Sequence, residues 1–437
     1  MVRILHSNAS DGVIPEGIRR VETSAREAAD VCREVIDAVR ARGDDALIEY
    51  TRRFDGVDLS SLGLQVGPEE FESADQNLSA DMREALTHAI RNINRFHTQQ
   101  RPKPEPMMEV EPGVWCGDRW TPIDSVCLYV PRGRGAFSSV MCMLGVPAVV
   151  AGVERVVVCT PPGPDGRVDD ATLVAAKLIG IDRVYRIGGA QAVAAMAFGT
   201  DSVEPSTKIV GPGNVYVSAA RHLLSDRIDP GPPAGPSESV VLCDAGVDPN
   251  NAAWNVLVEA EHGENSCAVL VTHDEALAGR VSDAVVKNIN SMSPQRQAFA
   301  SQVLNENGGI VLTESLEASV DFVNAFAPEH LAIMSDRGDE IVKSIRNAGE
   351  ILIGDFPIIS LGNYAMGLNA ILPTGGRAVT RSCVSVLDFL KRSSVGKVNR
   401  EGFGSVAPVV SVMSRDEGFS AHHLAVENWL PVANEAE

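Results

Sequence analysis

In VETSAREAADVCREVIDAVRARGDDALIEYTRR, residues 21–53, apolar side chains recur every three to four positions, which predicts helix with a break at Gly43. Residues 68–101 repeat that period and stop at the proline-rich RPKPEP. The texture then changes. DSVCLYVP is a β-branched run ended by proline, followed by the glycine- and arginine-rich RGRGAFSS and an apolar helix through residue 152. ERVVVCTPP predicts a strand, DDATLVAAKLIG a helix, and RVYRIGG a strand running straight into the helix AQAVAAMAFG. TKIVGPGN repeats the strand-to-glycine turn before VYVSAARHLLS. A second alternating series begins near 238: strands SVVLCD, CAVLVT, GIVLTE, LAIMS and EILIGD, with helices over 250–262, 274–292, 315–327 and 338–347. Two consecutive β–α series imply two doubly wound parallel-sheet units. After residue 380 the pattern turns irregular and polar and ends in a helix-like segment rich in His and Glu, a tail that either packs on a partner subunit or frays.

A chain of 437 residues can bury more than one core. The formal charge of −20 comes without basic clusters, which argues against nucleic acid and anionic membrane as partners. No stretch reaches the roughly 18 apolar residues of a spanning helix, and the N-terminus lacks the apolar core of a signal peptide. The 8 cysteines are scattered, none in C-x-x-C, so reduced thiols in a cytoplasmic protein are expected, not disulfides or thiolate zinc sites.

Two of the 9 histidines follow a glutamate at the end of an apolar run: Glu261–His262 and Glu329–His330. Glu259 and His262 stand at i and i+3, on one face of a helix that Pro249 opens and Gly263 closes. Facing helical carboxylates and imidazoles hold metals in helix bundles, yet a solvated helix end, where the dipole favours His, looks the same. Glu329–His330 can serve as acid and base. It lies, however, at a strand-entering junction, whereas open α/β sheets hold ligands at the opposite end. RIGGAQAVAA and IVGPGNVYVS are glycine turns able to offer backbone N–H groups to a phosphate, without the G-x-G-x-x-G fingerprint. AGPSES places Ser237 after a rigid Gly-Pro, and EGFSAHHLA puts Glu417, His422 and His423 in the tail.

Taken in order, ARGDDALIEYTRRFD, LYVP, VAGVERVVVCTPP, IGGAQAVAAMAFGTDSV, VGPGNVYV, AGPSE, EAEHG, APEHL, NYAMGLNAILPTGG and SAHH resemble the histidinol dehydrogenase family from about residue 25 to the tail. The resemblance implies two incomplete Rossmann-like doubly wound domains with small N- and C-terminal arms. The expected division is an arm over 1–25, a zinc-bearing domain over 26–125 and 238–383, an NAD-associated domain over 126–237, and a dimerisation arm over 384–437. It also implies a cytoplasmic homodimer that oxidises an alcohol through an aldehyde to a carboxylate with one zinc ion per subunit and two successive NAD molecules. Each C-terminal segment would reach the neighbouring subunit's site. By the same resemblance His330 is the general base and Glu329 activates water, while Tyr129, Gln191 and Asn214 touch NAD. Glu259, His262, Asn363 and His422 would hold zinc. Ser237 and Glu417 would contact substrate, alongside Glu259, His262, Glu329, His330, Asn363 and His422.

Three departures change the expectation. Glu259 stands where the family has glutamine, and Asn363 where it has aspartate, so the ligand charge is conserved with the two groups exchanged. Ala370 replaces a substrate-side histidine. The loop after Tyr129 reads PRGRG where the family usually has P-G-G, a gain of Arg132 and Arg134, and arginine suits carboxylate, sulfonate or phosphate. The expected activity is therefore oxidation of a small polar alcohol other than histidinol. L-histidinol itself is the first alternative, and a catalytically inactive metal- or nucleotide-binding homologue is the alternative of another class.

Overall fold

The computed structural model describes residues 2–7, 14–20, 25–132, 137–232 and 235–434. Both β–α series form parallel sheets. The larger has six strands in the order Ile4–His6, Gly309–Leu312, Cys267–Thr272, Glu238–Cys243, His330–Met334 and Glu350–Leu352. Its chain path runs outward from Glu238–Cys243 through Cys267–Thr272 to Gly309–Leu312, then reverses to His330–Met334 on the other side. The switch point of this doubly wound sheet thus lies between strands 238–243 and 330–334. The smaller sheet orders Val184–Tyr185, Arg155–Cys159, Ser125–Tyr129 and Lys208–Val210. Both sheets are covered on both faces, so their central strands are buried almost throughout instead of alternating.

The N-terminal helices pack differently from the division expected above. Ala25–Arg42 and Asp44–Asp55 share one core with the small sheet, in which Val35, Val39, Leu47 and Tyr50 meet Tyr129, Val157, Ile187 and Val193. Helix Ala80–Gln100 packs on Ser138–Ala151 and Asp170–Ile179 on the sheet's other side. Residues 26–100 therefore join the 126–237 module, not 238–383. The N-terminal arm also reaches further than expected, because Ile4–His6 adds a strand to the large sheet beside Gly309–Leu312.

Three elements differ from the sequence expectation, each for a nonlocal reason. The helix expected over 338–347 shrinks to Gly338–Ile341 and a single 3₁₀ turn, Val342–Ser344. Asn324 Oδ1 takes the Arg346 and Asn347 N–H groups at 2.6 and 3.3 Å, so they do not continue a helix. A helix over Pro294–Glu306 follows Glu275–Ile289, started by proline at its first turn. The polar stretch after 380 contains a nine-residue strand, Leu390–Val398, antiparallel to Val114–Pro122.

That ribbon belongs to a second unit, residues 101–122 with 390–437. It holds the three-stranded antiparallel sheet Leu390–Val398, Val114–Pro122 and Met108–Glu111, and the helix pair Arg400–Asp416 and Ser420–Asn434. Among the described residues no helix is long and apolar enough to cross a membrane.

Leu47 is fully buried in the shared core. Leu47→Ala is expected to lower the unfolding free energy by about 2–5 kcal/mol in urea denaturation; an unchanged midpoint would remove the second helix from that core.

Candidate active site

Side chains alternate along a strand, so His330, Ala332 and Met334 share one face. Ala332 lies in the core with Val241, Cys243, Leu352, Val256 and Ile359, which sets His330 on the side covered by helices Pro249–Ala260 and Ile359–Tyr364. Parallel register places Ser239 on one side of His330 and Glu350 on the other. Glu350 uses that position: its Oε2 lies 2.8 Å from His330 Nδ1, with both side chains buried. On the other ring nitrogen, Nε2 faces Glu329 Oε1 at 4.0 Å. Glu329 is held from behind, where its Oε2 accepts the Glu238 N–H at 2.9 Å. The Glu238 carboxylate is in turn gripped by Arg20 Nε at 2.5 Å, and the Arg20 guanidinium lies over the Phe326 ring.

Helix Pro249–Ala260 starts at the Asp248 cap and lays Ala252, Val256 and Ala260 on the sheet. Glu259 falls on the same stripe and is 1% exposed. Its Oε1 lies 3.6 Å from His262 Nδ1, and its Oε2 has no hydrogen-bond partner among the described residues. His262, just past the helix end, approaches the Val258 carbonyl with Nδ1 at 2.9 Å. That contact puts the proton on Nδ1 and leaves Nε2 with a lone pair, as in metal-ligating histidines. Asn255, one turn before Glu259, donates to Pro357 O at 2.7 Å and accepts from Ile359 N at 3.1 Å. It thereby seats helix Ile359–Tyr364, whose Asn363 Oδ1 is also buried without a partner.

Burial opposes a charge on His330, but the hydrogen bond to Glu350 and the charges of Glu259, Glu329 and Glu350 outweigh it and push the imidazole up to about 9. Burial, reinforced by Glu259 and Glu238 and opposed by His330, holds the Glu329 carboxyl well above the usual range. Glu238, Glu259, Glu329 and Glu350 are all buried here; among the described residues Arg20 pairs with Glu238 and His330 with Glu350, while Glu259 has only the His262 ring 3.6 Å away. The pocket is short of positive charge.

That shortage, with the unpaired Glu259 and Asn363 oxygens and the fixed tautomer of His262, fits a divalent cation. Among the described residues no group of three or more His, Cys, Asp or Glu could hold a metal ion.

Ser237 is half-buried in the loop that leads into Glu238, next to the backbone holding Glu329, and its carbonyl accepts the Cys267 N–H at 3.0 Å. Glu417 and His422 lie in the second unit, exposed at the corner between its two helices.

Tyr129, Gln191 and Asn214 cluster at the carboxyl ends of the small sheet's strands. Tyr129 OH accepts the Gly189 N–H at 3.0 Å. Both amide atoms of buried Gln191 lack partners among the described residues. Asn214 caps helix Val215–Leu223 by accepting from Tyr216 N and Val217 N, both at 3.1 Å. Gly211 closes the turn at φ 132°, beside the Tyr129 carbonyl. Arg132 lies against Gly163 in the loop after Arg155–Cys159, on the small-sheet side; Arg134 is outside the described residues. At Ala370 the backbone N–H points to Met143 Sδ at 3.4 Å.

Sequence inspection missed Glu350 and Arg221. Glu350 is one acidic residue before ILIG, and only strand pairing sets it beside His330. Arg221 is buried beneath Tyr129, donates to Gly211 O at 2.8 Å, and leaves Nε and Nη2 without partners among the described residues. Burial lowers its guanidinium to about 10. An arginine on the apolar stripe of a helix was the available signal.

A parallel sheet with buried Glu329, His330 and Glu350 beside its switch point, and a second sheet presenting a polar cluster, is an architecture that suits an α/β enzyme. A family model described as histidinol dehydrogenase matches residues 18–430. The histidinol dehydrogenase of Synechocystis sp. (strain PCC 6803) is 46% identical over 408 residues, 93% of this chain and 94% of that protein. A protein of Cereibacter sphaeroides named histidinol dehydrogenase homolog is 47% identical, covering 94% of this chain and 93% of its own length. The crystal structure of histidinol dehydrogenase from Elizabethkingia anophelis superposes with a TM-score of 0.94 at 33% identity, covering 99% of both chains. This chain belongs to the histidinol dehydrogenase family and is an oxidoreductase of that type.

Asn255→Ala would leave the Pro357 carbonyl and Ile359 N–H buried and unpaired. A loss of about 2 kcal/mol is expected in chemical denaturation; wild-type stability would show that Asn255 does not seat the 359–364 helix.

Proposed function

We propose that this protein oxidises a small polar primary alcohol through the aldehyde to the carboxylate with NAD and zinc, and family membership puts L-histidinol first as substrate. One observation carries the proposal: a buried imidazole held at Nδ1 by one carboxylate faces a second carboxylate with Nε2, beside unpaired oxygen donors. Glu259, His262 and Asn363 would hold the zinc ion, with His422 supplied by a second copy of the chain. Tyr129, Gln191 and Asn214 would touch NAD, and Ser237 and Glu417 the substrate. When bound, zinc eases loss of the alcohol proton and NAD takes the hydride.

The chain's own residues move the protons. His330 Nε2 accepts the alcohol proton in the first oxidation. Glu329, fixed by the Glu238 N–H, accepts a proton from the water that adds to the aldehyde before the second. Burial keeps bulk water from these groups and strengthens their fields.

The second unit supports a dimer. Val409, Val412, Met413, Phe419, Leu424 and Trp429 are more than half exposed on its helix pair, an apolar surface suited to another copy. A second reading, a polar alcohol other than histidinol, is favoured by Ala370, which offers no imidazole where the family has one, and by the exchange at 259 and 363. The named relatives do not separate the two, since histidinol dehydrogenases and histidinol dehydrogenase homologs match at 45–47% identity.

The test is NAD reduction by the purified protein with L-histidinol and a panel of hydroxylated and sulfonated alcohols, followed by absorbance of the reduced nicotinamide. Turnover of histidinol supports the first reading, turnover of another alcohol alone the second, and none at all would leave an inactive homologue. His330→Asn is expected to lower kcat by roughly 10²–10⁴-fold, and chelation should abolish turnover, with zinc restoring it. The base must be neutral to accept a proton, and its pKa is raised. The rate should therefore climb with pH toward about 9, while a flat profile from neutrality upward would count against His330.

A further inference from the structure

Glu350 contributes nothing to the proposed zinc, NAD or substrate sets, yet it lies buried at the centre of the site. Its Oε1 has no hydrogen-bond partner among the described residues. A desolvated carboxylate oxygen without a partner destabilises a fold. Stability alone therefore gives no reason for an acidic residue at this position.

The surroundings are shaped to that carboxylate. Gly362, in the helix carrying Asn363, presses directly on it: a Cβ at 362 would stand 2.9 Å from Glu350 Cδ, closer than side chains approach. Strand pairing aligns residue 350 with 330, so the hydrogen bond is built into the sheet and does not depend on a flexible loop. An ionised carboxylate can only accept a hydrogen bond. Glu350 Oε2 at 2.8 Å from Nδ1 thus calls for the proton on Nδ1. In the neutral ring the Nε2 lone pair then points toward Glu329 Oε1, 4.0 Å away.

We propose that Glu350 is a positioning residue: accepting the Nδ1–H of His330, it fixes the ring tautomer that leaves Nε2 as the base and stabilises the imidazolium formed when Nε2 takes the alcohol proton. The O–H bond of the alcohol breaks, the Nε2–H bond forms, and the Nδ1 proton stays in the hydrogen bond to Glu350. The arrangement is the carboxylate–imidazole logic of hydrolytic triads, here turned to an alcohol proton. It rests on the reading of His330 as the base. Glu259 from helix 249–260, Glu329 and Glu350 are the acidic groups that bear on the ring.

Two measurements test it separately from the base assignment. Neutron diffraction on deuterated wild-type crystals at a pD above the raised titration point of the ring, where the imidazole is neutral, should find deuterium on Nδ1 between His330 and Glu350 and none on Nε2. A bare Nδ1 facing a protonated Glu350 would overturn the proposal whatever the substrate. In steady-state kinetics with L-histidinol and NAD, Glu350→Gln should lower kcat by about 10²-fold or more, leave KM within roughly twofold, and move the rising limb of the pH profile to lower pH. Its thermal midpoint should stay at or above the wild-type value. Gly362→Ala, which displaces the carboxylate without removing it, should lower kcat in the same direction. If Glu350→Gln keeps the wild-type kcat and pH limb while His330→Asn abolishes turnover, the positioning role fails and the base stands. If His330→Asn keeps turnover, both fall.

Discussion

The parallel register of His330–Met334 between Glu238–Cys243 and Glu350–Leu352 is the constraint on which the site depends. It sets a cluster of polar groups at the entering edge of a sheet whose central positions beyond that edge are mainly apolar. Ser239, His330 and Glu350 align across one face, and the Glu238 backbone reaches Glu329. A one-residue slip of strand 330–334 would turn the imidazole to the opposite face, among Phe322, Val323 and Ile341. The core on both sides thus enforces the chemistry's geometry.

The same edge concentrates negative charge out of water. Glu238 is paired with Arg20, and Glu350 with His330, but Glu259 keeps an unpaired oxygen in the interior. Buried carboxylates are tolerated when protonated, paired or bound to a cation. Here the fold supplies too few cations of its own. That deficit links the raised carboxyl of Glu329, the raised imidazole of His330 and the fit to a divalent ion.

The two sheets use opposite ends. In the large one the polar groups sit where strands begin, and in the small one they sit where strands finish, around Tyr129, Gln191 and Asn214. The segment that carries Asn363 and Ala370 ties the halves together: Asn369 donates to Met143 O at 2.7 Å, and Asn92 donates to Ala365 O at 2.7 Å. Helices covering the small sheet therefore hold the stretch that leads away from the candidate metal ligand.

Hydrophobic periodicity was enough to read both β–α series, their parallel sheets, the break at Gly43 and the helix opened by Pro249, because those signals are local: apolar spacing, glycine and proline. That helix stops at Ala260, ahead of the expected Gly263. Motif order was enough to name the family and to draw attention to Glu329–His330. The strand Leu390–Val398 was invisible because it is exposed on both faces and exists through its ladder with residues 114–122, far away in the chain. The company of the 25–100 helices was hidden too, since an apolar stripe shows that a helix packs but not on which sheet. Glu350 was the largest omission. A single glutamate before an apolar run carries no pattern of its own, and its meaning comes from lying one strand away from His330, a distance of twenty positions in sequence and one hydrogen bond in space.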